Sequence, residues 1–148
     1  MTSSFDPGDS GLLAAFQADV LHGAPLPCTA IHPDDSMLRF FVERRHGHRE
    51  RAVVDYFRTG HSAARAIETL LQWWFGERRP SIRLLDFASG YGRMTRFLVQ
   101  RQAPERLWVS DLFPTAVEFQ RERFGVGGFV SSAEPADLAC DERFECIV

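Results

Sequence analysis

A chain of 148 residues, 45% of them hydrophobic and 25% charged, has the profile of one compact domain with a core of its own and excludes a disordered tail. The formal net charge is -3, and the basic residues are scattered among acidic ones, so the positive stripe that phosphate-backbone binding needs is missing and no nucleic-acid partner is expected. Met1 to Gly11 has neither a basic n-region nor an apolar core, and no window reaches the roughly 18 uninterrupted apolar residues of a spanning helix, which reads as a cytoplasmic protein without a membrane span.

Met1 to Ser10 is polar, with Pro7 and Gly8, and reads as a loose lead-in. Ser10 is placed to cap a first helix with Leu13, Phe16, Gln17 and Val20 on one side, ending before Gly23 and Pro25. After a loop over Pro25 to Pro33, a second helix is expected from Asp34 or Asp35, with Met37, Leu38, Phe40 and Phe41 on one broad face and Gly47 as its stop. Asp34-Asp35 fits two roles, a cap for this helix or a pair facing an active cleft, and the cap is the better reading.

Glu50 to Arg58 suggests a third helix with Val53, Tyr56 and Phe57 inward. Ser62 suggests the cap of a fourth, in which Ala63, Ile67, Leu70, Leu71, Trp74 and Phe75 recur at spacings of three and four before Gly76 and Pro80. Trp73 and Trp74 are adjacent, about 100 degrees apart on a helix, so at most one occupies the centre of the stripe. Core packing is the first expectation for them, a substrate-facing aromatic wall the second.

The rhythm changes after Pro80. Ile82 to Phe87 reads as a buried strand, Gly90 to Gly92 as a turn, and Arg93 to Gln102 as a helix with Met94, Phe97, Leu98 and Arg101 on one side. Leu107 to Ser110 is a second strand. Pro114 opens a helix whose inner face is Val117, Phe119, Gln120 and Phe124 and which Gly125 ends. Gly128 to Ser131 reads as a third strand, Ala133 to Ala139 as a short link or single turn, and Phe144 to Val148 as a fourth strand. Alternation of this kind predicts an α/β fold, a Rossmann-like parallel sheet over 81–148 with an N-terminal helical cap or substrate-side extension over 1–80. The sheet reads as cut short after its fourth strand, since no turn, cap or polar tail follows Val148.

Asp86 closes the first strand, Ala88-Ser89-Gly90-Tyr91-Gly92 turns sharply, and a helix is expected to open at once, an arrangement suited to a nucleotide-like ligand over the carboxyl ends of the strands. Gly90 and Gly92 let backbone approach that ligand without a Cβ in the way. Asp111 ends the second strand, 25 positions beyond Asp86, where a carboxylate accepts from the vicinal hydroxyls of a ribose; the competing role is a cap ahead of Pro114. Leu112 and Phe113 follow as apolar candidates for an adenine face.

Leu84-Leu85-Asp86-Phe87-Ala88-Ser89-Gly90-Tyr91-Gly92 resembles the first motif of class I S-adenosylmethionine-dependent methyltransferases, and the resemblance covers Ile82 to Val148. It implies S-adenosyl-L-methionine as cofactor, with Asp86 and Ala88, Ser89, Gly90 and Gly92 around its methionine part and Asp111 on its ribose. It also implies that Ser131-Ser132-Ala133-Glu134, followed by Asp137-Leu138, flanks adenine. Two departures stand out. Ala88 occupies the place of the family's first glycine, costly if its φ is positive, and the third-strand carboxylate is either replaced by Ser132 or displaced to Glu134.

A dehydrogenase fingerprint wants G-x-G-x-x-G, whereas Thr95 stands at the third place. Asp86 is also unfavourable beside a pyrophosphate and favourable beside a sulfonium or ammonium. An NAD-dependent oxidoreductase therefore ranks below a non-catalytic interaction or structural protein of this fold, and both rank below methyl transfer to a small-molecule, sugar or lipid acceptor. A fragment of this extent is expected to be inactive alone, and no catalytic base is nominated. Cys28, Cys140 and Cys146 are odd in number and irregularly spaced, and His46-Gly47-His48 reads as an exposed turn, so no metal site is expected.

Overall fold

The computed structural model describes residues 11–25 and 27–148. Ser10, the expected cap of the first helix, lies outside the described residues, as does the lead-in before it. Helix α1 (Gly11–Asp19) buries Leu13 and Phe16. Helix α2 (Ser36–Arg44) is capped by Asp35, whose side chain accepts from the amides of Met37 and Leu38. Its buried face is Leu38 and Phe41; Met37 and Phe40, expected beside them, are exposed. His46-Gly47-His48 forms the exposed turn that follows, with His46 and Gly47 at φ 51° and 84°.

The expected third and fourth helices are one. Helix α3 runs without a break from Arg49 to Phe75, so Ser62 caps nothing. Gly60, in the middle, is the residue where a break could be suspected, but it serves close packing: a Cβ there would collide with the carbonyl of Arg93. Leu71 near the end of α3 is buried, whereas Leu70 is exposed and Trp73 and Trp74 are 76% and 70% exposed, so core packing does not account for the two tryptophans. A 3-10 segment of six residues (Gly76–Ser81) then leads into the sheet.

Four parallel strands follow: β1 (Leu84–Phe87), β2 (Leu107–Asp111), β3 (Gly127–Val130) and β4 (Cys146–Ile147), ordered β3-β2-β1-β4. That is the order in which Rossmann-like sheets place their first four strands. Register sets Asp86 against Val109 and Phe87 against Ser110, which leaves Asp111 one step beyond at the same end of the sheet. Helix α5 (Pro114–Phe124) joins β2 to β3; it starts on Pro114, buries Ala116, Val117, Phe119, Gln120 and Phe124, and ends on Gly125 in the left-handed conformation.

The helix expected over Arg93 to Gln102 is shorter. Helix α4 is Thr95–Leu98, with turns before and after it. Bonds of 3-10 type tighten both ends, Phe97 N–H to the Met94 carbonyl and Arg101 N–H to that of Leu98. One cluster of buried apolar side chains, from Leu13 through Tyr56, Phe57 and Phe97 to Val126, joins the helices to the sheet.

Candidate functional site

The carboxyl ends of β1 and β2 meet the start of α2 and the middle of α3 at a cleft of about 850 Å³. Asp86, Ala88, Ser89, Gly90 and Asp111 line it from the sheet side, with Tyr91, Phe113 and Thr115 beside them. Asp34, Asp35, Ser36, Met37, Arg39 and Ala63 form the helical wall. Asp35 thus fills both roles read from the sequence: it caps α2 and lines the cleft.

The turn that connects β1 to α4 is held from behind. Ser89 N–H donates to the Ser110 carbonyl at 3.0 Å, and Gly90 N–H donates to Asp111 Oδ2 at 2.8 Å. Gln120 on α5 donates through Nε2 to both Ser89 Oγ (2.7 Å) and the Gly90 carbonyl (2.8 Å). Gly90 has φ 58° and open space where a Cβ would stand, so with its N–H and carbonyl held by Asp111 and Gln120 it leaves room in the cleft by lacking a side chain. Gly92 has φ 77° and packs inward, where a Cβ would overlap Phe124 and Gln120; it shapes the turn without lining the cleft.

Ala88 sits at φ 55°, the costly case for a residue with a Cβ. Ala88→Gly is expected to stabilise the fold by about 0.5–1 kcal/mol, since about 1–2 kcal/mol of left-handed strain is relieved against about 0.5–1 kcal/mol of extra chain entropy. Urea unfolding monitored by circular dichroism reads this; an unchanged or lower midpoint would show that the alanine methyl makes a compensating contact.

Asp86 is 4% exposed. Its Oδ2 accepts from Thr95 Oγ1 at 2.6 Å, and no ion pair reaches it among the described residues. Burial pushes its pKa up to about 6, opposed by the Thr95 hydroxyl and the charge of Arg93 and assisted by Asp111. Asp111 divides its carboxylate: Oδ2 holds the glycine turn, and Oδ1 accepts from Phe113 N–H at 3.0 Å, just ahead of Pro114. Part of the capping role is therefore real, and Asp111 still lines the cleft.

The other expected site residues lie apart. Leu112 is exposed and, with Ser132, Ala133 and Glu134, is not among the residues lining the cleft; Ser132 Oγ accepts from Glu134 N–H in a local turn beyond β3. Among the described residues no group of three His, Cys, Asp or Glu is placed to hold a metal, and the three cysteines are free. No helix among them is long and apolar enough to cross a membrane.

Sequence reasoning missed Arg96. Fully buried, it donates from Nε to the Gly92 carbonyl, from Nη1 to the carbonyls of Cys28 and Ala30, and from Nη2 to Tyr56 Oη and the Tyr91 carbonyl. Tyr56 Oη in turn donates to Asp35 Oδ2 at 2.6 Å, so the glycine turn and the cap of α2 belong to one network. The available signal was the position of Arg96 between Thr95 and Phe97, inside an otherwise buried turn.

No protein-family model matches the chain, and no curated protein matches it. Among solved structures, Streptomyces venezuelae DesVI is similar with a TM-score of 0.49 and 16% identity, over 79% of this chain and 43% of that one. An S-adenosylmethionine-dependent methyltransferase from Clostridium acetobutylicum ATCC 824 is similar with a TM-score of 0.34 and 13% identity, over 92% of this chain and 41% of that one. The chain spans less than half the length of either structure. Likeness at this level assigns no reaction and no residue role.

Proposed function

We propose that the cleft binds S-adenosyl-L-methionine and that the chain is the cofactor-binding part of a methyltransferase acting on a small-molecule, sugar or lipid acceptor. The observation that carries this reading is the buried carboxylate of Asp86, without an ion-pair partner among the described residues, at the end of the strand that enters an open glycine turn. A cation placed there offsets the desolvation of Asp86, whereas a pyrophosphate would add to it. When bound, the cofactor supplies an activated methyl group on a cationic sulfur. The chain's residues do the holding: Asp86 faces the ammonium and sulfonium charge, Gly90 leaves room along the turn, Asp111 takes ribose hydroxyls on its remaining lone pairs, and Phe113 offers an apolar face to adenine. Rate then comes from holding nucleophile, carbon and sulfur in line and from excluding water.

Asp111→Ala is expected to weaken S-adenosylmethionine binding about ten- to a hundredfold, about 1.5–3 kcal/mol, in titration calorimetry, and Asp141→Ala by less than about 0.5 kcal/mol. Because Asp111 also braces the glycine turn, a 2′-deoxyribose analogue separates the two effects: wild type discriminates against it, and Asp111→Ala does not. Equal discrimination in both proteins removes the ribose assignment. Tight binding of NAD with none of S-adenosylmethionine replaces the reading with a dehydrogenase, and no nucleotide binding leaves a structural or interaction role.

A further inference from the structure

We infer that α2 is a lid on the cleft, latched by the hydrogen bond from Tyr56 to Asp35, and that a ligand on the glycine turn tightens this latch through Arg96. Tyr56 is then a positioning residue for the wall against which an acceptor lies. The inference deepens the methyltransferase reading and rests on it for the identity of the ligand, whereas the latch itself stands on geometry. Ser36, Met37 and Arg39 carry α2 into the lining of the cleft. The buried side chains of this nine-residue helix are Leu38 and Phe41, and it ends at the exposed turn where His46 and Gly47 are left-handed. An element with so few buried side chains opens locally before the rest of the fold does. Its first turn is fixed by Asp35, whose Oδ1 accepts from Met37 N–H at 2.9 Å and Leu38 N–H at 3.3 Å while Oδ2 accepts from Tyr56 Oη at 2.6 Å.

One guanidinium joins the latch to the turn. Arg96 Nε donates to the Gly92 carbonyl at 3.0 Å, and Nη2 donates to the Tyr91 carbonyl at 3.4 Å and to Tyr56 Oη at 3.2 Å. Its Nη1 donates to the carbonyls of Cys28 (2.9 Å) and Ala30 (3.1 Å), in the segment that leads into α2. The donors of a guanidinium lie in one plane at fixed angles, so a shift of the Tyr91–Gly92 carbonyls moves the donor that faces Tyr56 or breaks one of these bonds. Arg96 has no ion pair among the described residues and is fully buried; Asp35 is the anion on the far side of the Tyr56 hydroxyl. Strengthening either bond of that hydroxyl polarises the other. The loop before α2 touches the turn a second time, because the His32 ring stacks on that of Tyr91 at 4.4 Å. A ligand that fixes the turn therefore fixes Arg96 and the latch, and by reciprocity whatever fastens α2 tightens the ligand. An acceptor that packs on Met37 meets a finished wall once the turn is occupied.

Hydrogen exchange on the whole chain, with and without saturating S-adenosylhomocysteine, reads the coupling. In wild type the ligand is expected to slow exchange at Met37 and Leu38 by about tenfold. Gly125 N–H, bonded to the Arg121 carbonyl at the end of α5, controls for stabilisation of the whole fold. Two variants cut the latch: Tyr56→Phe, and Asp35→Ser, which keeps a helix cap but is too short to reach Tyr56. In both, the slowing at α2 is expected to shrink below about threefold, although the ligand still slows Gly92 N–H at the turn. Undiminished slowing in either variant overturns the inference, because the ligand then acts on α2 directly; so does a slowing at Gly125 equal to that at α2, or none at α2 in a wild type that binds. The methyltransferase reading survives each of these. A second arm needs no ligand. Gln120→Met removes the donors to Ser89 and Gly90, and none of the hydrogen bonds of Gln120 reaches Arg96, Tyr56 or Asp35. It is expected to speed exchange at Met37 and Leu38 about threefold or more when Tyr56 is present and to add nothing in Tyr56→Phe. Additive effects overturn the inference. If S-adenosylhomocysteine does not bind and the two substitutions are non-additive, the latch stands and the methyltransferase reading falls. Circular dichroism confirms that each variant is folded.

Discussion

Asp86→Asn is expected to raise the stability of the fold at neutral pH while weakening S-adenosylmethionine binding by about ten- to a hundredfold. Asp86 titrates near 6 in the folded chain against an ordinary 3.8, because burial disfavours its charge. A group whose pKa is raised on folding contributes stability that is complete below its unfolded value and lost as pH rises through the folded one. Ionised Asp86 therefore costs the fold about 3 kcal/mol at pH 7, at about 1.4 kcal/mol per unit. Asparagine keeps an acceptor for Thr95 Oγ1 and carries no charge, so the wild-type melting temperature should fall between about pH 4 and pH 7 relative to the variant. Ligand affinity follows the opposite course, because a cation favours ionised Asp86: wild-type binding should strengthen with pH through about 6 and then level, and the variant should show neither the strength nor the slope. Calorimetric scans and titrations at several pH values check both halves. A variant that binds as tightly as wild type would detach Asp86 from the ligand.

What the sequence made legible is local. Asp86, Gly90 and Asp111 come together because a strand, a glycine turn and a neighbouring parallel strand fix their places from short-range rules, and Pro114 and Gly125 mark the ends of α5 by backbone preference alone. The break expected between Arg58 and Ser62 rested on Ser62 as a cap, and it is absent because the helix continues through Gly60, whose missing Cβ admits the backbone of Arg93. The shortness of α4 was hidden for a related reason: the sequence around it is helix-forming, but the contacts of Arg96 with the carbonyls of Tyr91 and Gly92 accompany tight turns on its N-terminal side. Ser132, Ala133 and Glu134 were placed by resemblance alone; they follow β3, while Tyr91, Thr115 and the helical wall beyond Asp34 and Asp35, which line the cleft, carried no signal in the sequence. Periodicity places a residue on a face of its own element. It does not say which distant carbonyl will lie opposite.

Arg96→Met is expected to destabilise the chain by about 3–5 kcal/mol, the largest loss among single substitutions at the rear of the site. Arg96 is fully buried and is ringed by Tyr56, Phe57 and Phe124 at 5.2, 5.2 and 5.6 Å from its guanidinium carbon. Methionine fills much of that apolar ring, so the cost is polar: the carbonyls of Cys28, Ala30 and Tyr91 and the Tyr56 hydroxyl lose their donor in a place with little water to replace it, while the Gly92 carbonyl keeps only the backbone N–H of residue 96. Tyr56→Phe separates the two halves of the network. It removes the hydroxyl between Arg96 and Asp35 but leaves every carbonyl contact of Arg96 intact, so its loss should be about 1–3 kcal/mol. Hydrogen exchange distinguishes where each acts: Arg96→Met should speed exchange at the glycine turn, at Gly92 and Arg96 N–H, whereas Tyr56→Phe should speed it at Met37 and Leu38, the amides that Asp35 caps. If Arg96→Met costs less than about 1 kcal/mol, the carbonyls around it find other donors and the turn does not depend on the helices for its shape. If it costs the expected amount with no change in exchange at Gly92, the network holds the N-terminal segment at Cys28 and Ala30 and leaves the turn to Gln120 and Asp111.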